Sequence, residues 1–188
     1  MSQLEQEVER LRAEVERLKA LVPHPPSAAP LKARKLTAQQ QLRMLTQFCE
    51  AHGAEQIEQS YGWEGGAPRT LAKNERSWTF HVGADIVGWG SVILNTQDGS
   101  DDEATLLVGV FPDQQKKGYR TQILDWLCAE SARLGADWAT MIVRKSNEVH
   151  YNRTMREAHD EGNPWTYAGD VWAPAPGYGY FIRGLTEL

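Results

Sequence analysis

The sequence contains 188 residues, a length that accommodates one domain with a short appendage. Its apolar content of 41% and its seven tryptophans are enough for one hydrophobic core. The net charge of −5 argues against a general nucleic-acid-binding protein, because such proteins are usually basic. Since no apolar run approaches 18 residues and the N-terminus is highly charged, we expect no membrane span and no secretory signal. A cytoplasmic protein, or one that belongs to a particle assembled inside a cell, fits this composition.

A heptad pattern runs through residues 1–22. Valines take the a positions and leucines the d positions, and oppositely charged residues flank them at the spacing of interhelical pairs in a parallel coiled coil. We predict self-association as a dimer or a trimer; the alternative is an amphipathic helix docked on its own domain. Residues 23–30 are rich in proline and indicate a semi-stiff linker, which leaves residues 31–188 as the globular domain. The heptad positions are Leu4, Val8, Leu11, Val15, Leu18 and Val22.

The globular domain is predicted to begin with a short strand, two helices and a hairpin. Thr37 is a good N-cap for the first helix. Its apolar stripe consists of Leu42, Leu45, Phe48 and Cys49. In chain order we expect a strand at 31–36, helices at 38–53 and 54–61, a loop at 62–74, strands at 77–82 and 86–94, and an acidic loop at 95–103.

A strand, a polar loop and a helix follow one another in the middle of the chain. The run 104–111 is apolar without a helical period, Pro112 ends it, and a helix begins near Gly118 and stops at Gly135. A further apolar strand at 138–143 completes a βαβ unit, so the two strands should be parallel. A polar helix at 147–161 and two closing strands at 166–172 and 178–183 complete the domain.

The loop before the central helix has the features of an anion site. The first amides of a helix have no intrahelical partners, and the helix dipole adds positive potential there. Gly118 permits close approach of the backbone, and Lys116, Lys117 and Arg120 add charge. The pattern therefore favours a phosphate or pyrophosphate ligand, against the alternative of a basic, solvated turn.

This stretch resembles the acyl-CoA loop of the GNAT acetyltransferase superfamily, a Q/R-x-x-G-x-G/A motif after a strand that ends in V-x-P. The matching residues are Val110-Phe111-Pro112 and then Gln115-Lys116-Lys117-Gly118-Tyr119-Arg120. The chain departs from the motif at Arg120, where the family prefers Gly or Ala. The order of elements also matches the GNAT order over about 150 residues. The resemblance implies an α+β fold with a mixed central β-sheet flanked by helices.

The resemblance further implies acetyl-CoA as the co-substrate. The two parallel strands would splay apart and admit the pantetheine arm. Backbone groups near Val108 and Val110 would pair with the arm, and the loop Gln115–Arg120 would hold the pyrophosphate. Asn147, four residues past the second splayed strand, fits the family's pantetheine-binding Asn, although it could equally be a helix N-cap.

Acid and base candidates follow from the same resemblance. The family often has a Tyr seven or eight residues after the Asn, as the acid for the leaving thiolate. Those positions are Thr154 and Met155 here, which leaves Tyr151 and His159 as candidates. The incoming ammonium must also lose a proton, and the carboxylates at the start of the central strand are the candidate bases: Glu103, and beside it Asp101 and Asp102. The alternative is a solvated acidic loop.

Three functions are open at this point. The first is an N-acetyltransferase acting on a primary amine of a small molecule or a protein. The second is a catalytically weak GNAT-fold interaction protein, docked by its coiled coil into a larger assembly such as a virus particle. The third is a GNAT relative that modifies a nucleobase. We expect no metal site, because the histidines lack zinc spacing and nearby cysteine ligands.

Overall fold

The structure is a computed structural model that describes Arg10 and residues 30–97, 100–159, 164–169 and 177–185. Apart from Arg10 and Pro30, the predicted coiled coil and linker lie outside these residues, so self-association stays a prediction. The helices are α1 (Ala38–His52), α2 (Ala54–Tyr61), α3 (Tyr119–Arg133) and α4 (Glu148–Glu157), with short 3-10 turns at Glu64–Gly66 and Pro112–Gln114. None of these helices is long and apolar enough to cross a lipid bilayer.

One mixed sheet organises the described residues. Its strands are β1 (Lys32–Lys35), β2 (Glu75–Val82), β3 (Asp85–Gln97), β4 (Ser100–Val110), β5 (Trp138–Arg144), β6 (Thr166–Gly169) and β7 (Tyr178–Gly184). Their spatial order is β1-β2-β3-β4-β5-β7-β6. Only β4 and β5 pair in parallel, because α3 carries the chain back across the sheet between them. The predicted α+β fold and its βαβ unit are confirmed, while residues 170–172 of the last predicted hairpin lie outside the description.

The first helix confirms its predicted cap and corrects its predicted stripe. Thr37 and Gln40 form a reciprocal capping box at the start of α1. Leu42 was predicted to be buried, but it is 50% exposed. The buried positions of α1 follow a spacing of three and four residues, which leaves Leu42 on the outer side. They are Gln41, Met44, Leu45, Phe48 and Cys49.

The predicted acidic loop at 95–103 is wrong, because strands β3 and β4 of the hairpin both extend into this segment. β3 continues to Gln97 and β4 starts at Ser100, with Asn95 opposite Glu103 and Gln97 opposite Ser100. Backbone pairing with the neighbouring strand outweighs the low strand propensity of acidic residues here. Glu103 therefore projects from a strand of the sheet, where its position is fixed by the ladder.

The two faces of the sheet carry separate cores. On the α1 face, Phe48 packs edge-on against Trp89, with ring centroids 5.7 Å apart, and Leu45 and Ile57 complete the cluster. On the α3 face, the buried side of α3 packs on strands β2 to β5 and β7. Because side chains alternate along a strand, each residue of the central strands can be assigned to one face.

Candidate functional site

A cleft opens between the two parallel strands. β4 and β5 pair at only three positions, where Glu103, Ala104 and Thr105 lie opposite Trp138, Ala139 and Thr140. Beyond that point β4 continues to Val110 and β5 to Arg144, and no ladder pair joins them. The carboxyl-terminal halves of the strands therefore diverge, as the resemblance implied.

The backbone of β4 presents hydrogen-bonding groups to this cleft. Phe111 N donates to Val87 O of β3 at 3.1 Å. Antiparallel pairing alternates, so Val108 and Val110 turn their N–H and C=O groups away from β3 and towards the cleft. The contact between Thr140 Oγ1 and Ala104 O, at 3.4 Å, fits the same alternation.

Two side chains contact the carbonyl oxygen of Val110 at the open end of the cleft. His52 Nε2 lies 3.1 Å from Val110 O, and Gln115 Nε2 donates to the same oxygen at 3.5 Å. Burial lowers the pKa of His52, so a neutral ring donates this bond at physiological pH. These contacts fix the end of β4 directly before the predicted phosphate loop.

The loop between β4 and α3 contains two residues with a positive φ. Lys116 has a positive φ of 61° although it is not glycine, and Gly118, the N-cap of α3, has a φ of 79°. The N-cap residue of α3 is Gly118, which has no side chain to bond the first helical amides. Lys116 and Lys117 are exposed beside them, and Lys117 Nζ donates to Gln114 Oε1 at 3.0 Å.

The first two residues of α3 have different surroundings. Tyr119 is buried in the core, so only its backbone can serve a ligand in the loop. The Arg120 side chain reaches from α3 to β5, where Nη2 lies 3.1 Å from Met141 Sδ. Burial raises the pKa of Tyr61 in α2, and the positive charge of Arg120 opposes that shift. The guanidinium therefore lies at the cleft itself, close to Met141 and within electrostatic reach of α2.

At the closed end of the cleft, Glu103 is held on the α1 face. Its Oε1 accepts hydrogen bonds from Tyr180 Oη at 2.8 Å, Thr140 Oγ1 at 3.0 Å and Asn95 Nδ2 at 3.3 Å. No described residue donates to Oε2. One carboxylate oxygen is thus fixed by three strands, and the other is available to a ligand.

A pocket of about 180 Å³ surrounds this carboxylate. Its lining residues are Glu103, Trp138, Thr140, Tyr180 and Ile182. Burial and the bond to Glu103 raise the pKa of Tyr180 to about 12, so its hydroxyl stays protonated and keeps donating. Sequence reasoning did not place Tyr180 or Thr140 beside Glu103, because they lie 77 and 37 residues from it and carry no local motif.

The other predicted site residues lie apart from this pocket. Tyr151 packs on the α3 face against Phe181, at 6.5 Å between centroids, with Lys145 Nζ 5.9 Å above its ring. His159 is exposed and donates from Nδ1 to Met155 O at 2.7 Å. Asn147 precedes α4 and donates from Nδ2 to Ser60 Oγ at 3.1 Å. The side chains of Asp101 and Asp102 are outside the description.

Within the described part of the chain, no group of three or more His, Cys, Asp or Glu side chains is arranged to hold a metal ion.

Comparison with known proteins identifies the fold. No family model matches the sequence, and no curated protein sequence matches it. The GNAT domain of S. lividans PAT matches with a TM-score of 0.60 and 14% identity over 82% of this chain and 90% of that one. Spermidine N-acetyltransferase from Vibrio cholerae, in complex with CoA and spermine, matches with a TM-score of 0.59 and 12% identity over 82% of this chain and 95% of that one. The ribosomal-protein-S18-alanine N-acetyltransferase from Escherichia coli matches with a TM-score of 0.51 and 15% identity over 83% of this chain and 94% of that one. The chain therefore has the fold of the GNAT acetyltransferases.

Proposed function

We propose that this chain is an N-acetyltransferase that moves the acetyl group of acetyl-CoA to a primary amine by direct attack. The observation that carries the proposal is the β4–β5 cleft. One end of the cleft meets the N-terminal turn of α3 beside Lys116 and Lys117, and the other end meets Glu103. A pyrophosphate and a reacting amine need these two environments at opposite ends of one channel.

The residues present fit the cofactor. In the proposed complex, the α3 amides and the two lysines bind the pyrophosphate, as helix N-termini bind anions elsewhere. The arm then runs along β4 from Val110 to Thr105, roughly 16 Å at about 3.3 Å per residue, and pairs with the amide and carbonyl of Val108. Arg120 flanks this path, so its contact with Met141 must yield or be joined by the ligand.

The carbonyl oxygen, the incoming amine and the leaving sulfur each need a partner in the proposed reaction. A backbone N–H of β4 donates to the carbonyl oxygen as negative charge grows on it. Glu103 Oε2 accepts the proton that the ammonium loses before or during attack. The sulfur leaves with the bonding electrons and takes a proton from a donor, for which Tyr151 and His159 stay candidates. Acetyl-CoA supplies the activated acyl group.

The neighbours support both partners of this reaction in general terms. One is named as a spermidine N-acetyltransferase in complex with CoA and spermine, and another as an alanine N-acetyltransferase of a ribosomal protein. Their acceptors are amines, one on a small molecule and one on a protein. At 12% and 15% identity these likenesses support acetyl transfer to an amine and leave the acceptor of this chain to its own pocket.

Thermal unfolding with and without acetyl-CoA tests the proposal. A ligand at about a hundred times its dissociation constant stabilises the folded state by roughly 2.7 kcal/mol. The Gly118→Trp variant should lose this gain, because its side chain fills the loop. Gly135→Trp is the matched control: Gly135 is also exposed and left-handed, with φ 94° and open space around it. Both variants carry a similar backbone cost, so only the difference in ligand response matters.

A second candidate function is a silent GNAT-fold interaction protein, held in a larger assembly by the predicted coiled coil. Arg120 favours it, since its side chain reaches Met141 across the cleft that the cofactor needs. A well-folded wild-type protein that acetyl-CoA does not stabilise would support this candidate over the enzyme.

A further inference from the structure

The pocket around Glu103 combines one available carboxylate oxygen with aromatic and aliphatic walls. Glu103 Oε1 is occupied by Tyr180, Thr140 and Asn95, and these bonds set the orientation of the carboxyl group. Oε2 has no donor among the described residues. A carboxylate oxygen that faces a pocket and has no donor among the described residues is best matched by a cation that brings its own N–H groups.

The walls of the pocket suit an organic cation. Trp138 is 47% exposed, which is unusual for a large aromatic side chain in a sheet, and it lines the pocket together with Tyr180 and Ile182. Tryptophan and tyrosine faces attract ammonium groups, and Ile182 offers only apolar contact. Among the described residues, Trp138 belongs to neither of the two core clusters.

We propose that Glu103, Trp138, Tyr180 and Ile182 bind an unbranched alkylammonium group, with the ammonium at Oε2 and the methylenes along the walls. The pocket of about 180 Å³ holds one short chain of this kind. An amino sugar would leave hydroxyls against Ile182 and Trp138, and a peptide α-ammonium would leave its adjacent amide there without partners. Polar groups lose part of their hydration against these walls and methylenes do not, so the walls favour an alkyl chain over both.

The shared chemistry of a free alkylamine and a lysine side chain satisfies this pocket. The inference deepens the proposed function, because the bound group would be the acetyl acceptor. Binding itself needs no acetyl-CoA, so the pocket and the transfer reaction are tested separately.

The test is a titration followed by the tryptophan indole N–H signals in ¹⁵N NMR spectra. The probe is n-butylammonium, which is protonated at pH 7 like a lysine side chain, and n-butanol is the neutral control of similar shape. We expect a saturable shift of the Trp138 signal, assigned with Trp138→Phe, for the amine only. The same shift with butanol, or no saturable shift, would overturn the proposal.

Variants show whether Glu103 holds the cation. Glu103→Gln keeps an oxygen for Tyr180 and Thr140 but removes the charge, and it should weaken amine binding at least ten-fold. Glu50→Gln, on the exposed side of α1, should bind like the wild type. If Glu103→Gln fails to fold, Trp138→Ala serves instead, with an expected loss of about three-fold. Unchanged affinity in a folded Glu103→Gln or in Trp138→Ala would contradict the assignment.

A blocked tripeptide, acetyl-Gly-Lys-Gly-amide, distinguishes the two sources of the group. Binding of both probes, or of either one, supports the alkylammonium pocket and identifies the source. Acetyl-CoA stabilisation without alkylammonium binding would overturn the alkylammonium pocket and support the transferase proposal. Alkylammonium binding without acetyl-CoA stabilisation would support the pocket and contradict the transferase proposal.

Discussion

Two carboxylates on the same face of one sheet have opposite surroundings. Glu75 on β2 is enclosed, with a side chain 1% exposed, and its two oxygens accept bonds from Arg69, Gln41 and the Ala72 amide. Glu103 on β4 has one oxygen held and one facing a pocket. A carboxylate whose bonds are all made stabilises the fold, and one with an unused oxygen in a pocket can act on a ligand. The hydrogen-bond partners of each carboxylate, rather than its burial alone, therefore distinguish a structural glutamate from a candidate functional one.

The largest effect should come from Glu103→Gln. Loss of a general base typically lowers a rate by about 10² to 10⁴, or about 3–5 kcal/mol of barrier. Stability should change by less than about 1 kcal/mol, because the amide oxygen can still accept from Tyr180 and Thr140. Steady-state acetyl transfer to an amine, together with urea unfolding, measures both. Full activity in this variant would remove the distinction between the two carboxylates.

The opposite result is expected for Glu75→Gln. Removing one partner of a buried ion pair leaves Arg69 uncompensated and should cost about 3 kcal/mol of unfolding free energy. Acetyl transfer per folded molecule should stay at the wild-type value. Urea unfolding and an activity assay on the folded protein check the two parts, with Glu50→Gln as the neutral surface control. A variant as stable as the wild type would show that the enclosed cluster contributes little.

The pH dependence of stability sharpens the role of Glu75. Burial alone would raise the pKa of this carboxyl, but the hydrogen bond and charge of Arg69 lower it below its usual range. A lowered folded-state pKa gives a stability contribution that is fully present above the unfolded value of about 4.3 and is lost as pH falls through the folded value. Urea midpoints between pH 6 and pH 3 should therefore fall more steeply for the wild type than for Glu75→Gln. Parallel curves would contradict this assignment.

The smallest effect should come from Tyr180→Phe, which removes one of the three donors to Glu103 Oε1. One hydrogen bond to a charged group is worth about 1.5–3 kcal/mol, and partial exposure reduces the expected loss to about 1 kcal/mol. We expect kcat to fall about five-fold and the free energy of unfolding to fall by no more than about 1 kcal/mol. Tyr178→Phe is the matched control, because Tyr178 lies on the same strand as Tyr180 and its ring centroid lies 5.6 Å from Arg144 Cζ, away from Glu103. Equal losses in the two variants would mean that Tyr180 does not position Glu103.

The local parts of this fold could be predicted from sequence. The strand that ends at Val110, the helix after Gly118 and the cap at Thr37 depend on neighbours within a few residues, and all three are confirmed. The acidic hairpin was mispredicted because its strand character comes from pairing across the ladder. A sequence pattern shows propensity, and it cannot show that a partner strand will satisfy the backbone.

The candidate site also has one part that local sequence reveals and one part that only the fold brings together. The predicted phosphate loop is contiguous in sequence, so Lys116, Lys117 and Gly118 could be named from the motif. Glu103 was named as a candidate base, but its partners Thr140 and Tyr180 come from other strands. Nothing near either residue marks it, because their proximity is created by the order in which the strands assemble.

The most direct test of the central claim is an acetyl-CoA titration followed by backbone amide signals in ¹⁵N NMR spectra. We expect saturable shifts of the amide signals of Val108 and of Gly118 to Arg120, with the amide signals of the β1–β2 edge unchanged. That result would place the cofactor in the β4–β5 cleft with its pyrophosphate at the α3 N-terminus. Saturable shifts confined to other parts of the chain, or none at millimolar acetyl-CoA, would contradict it.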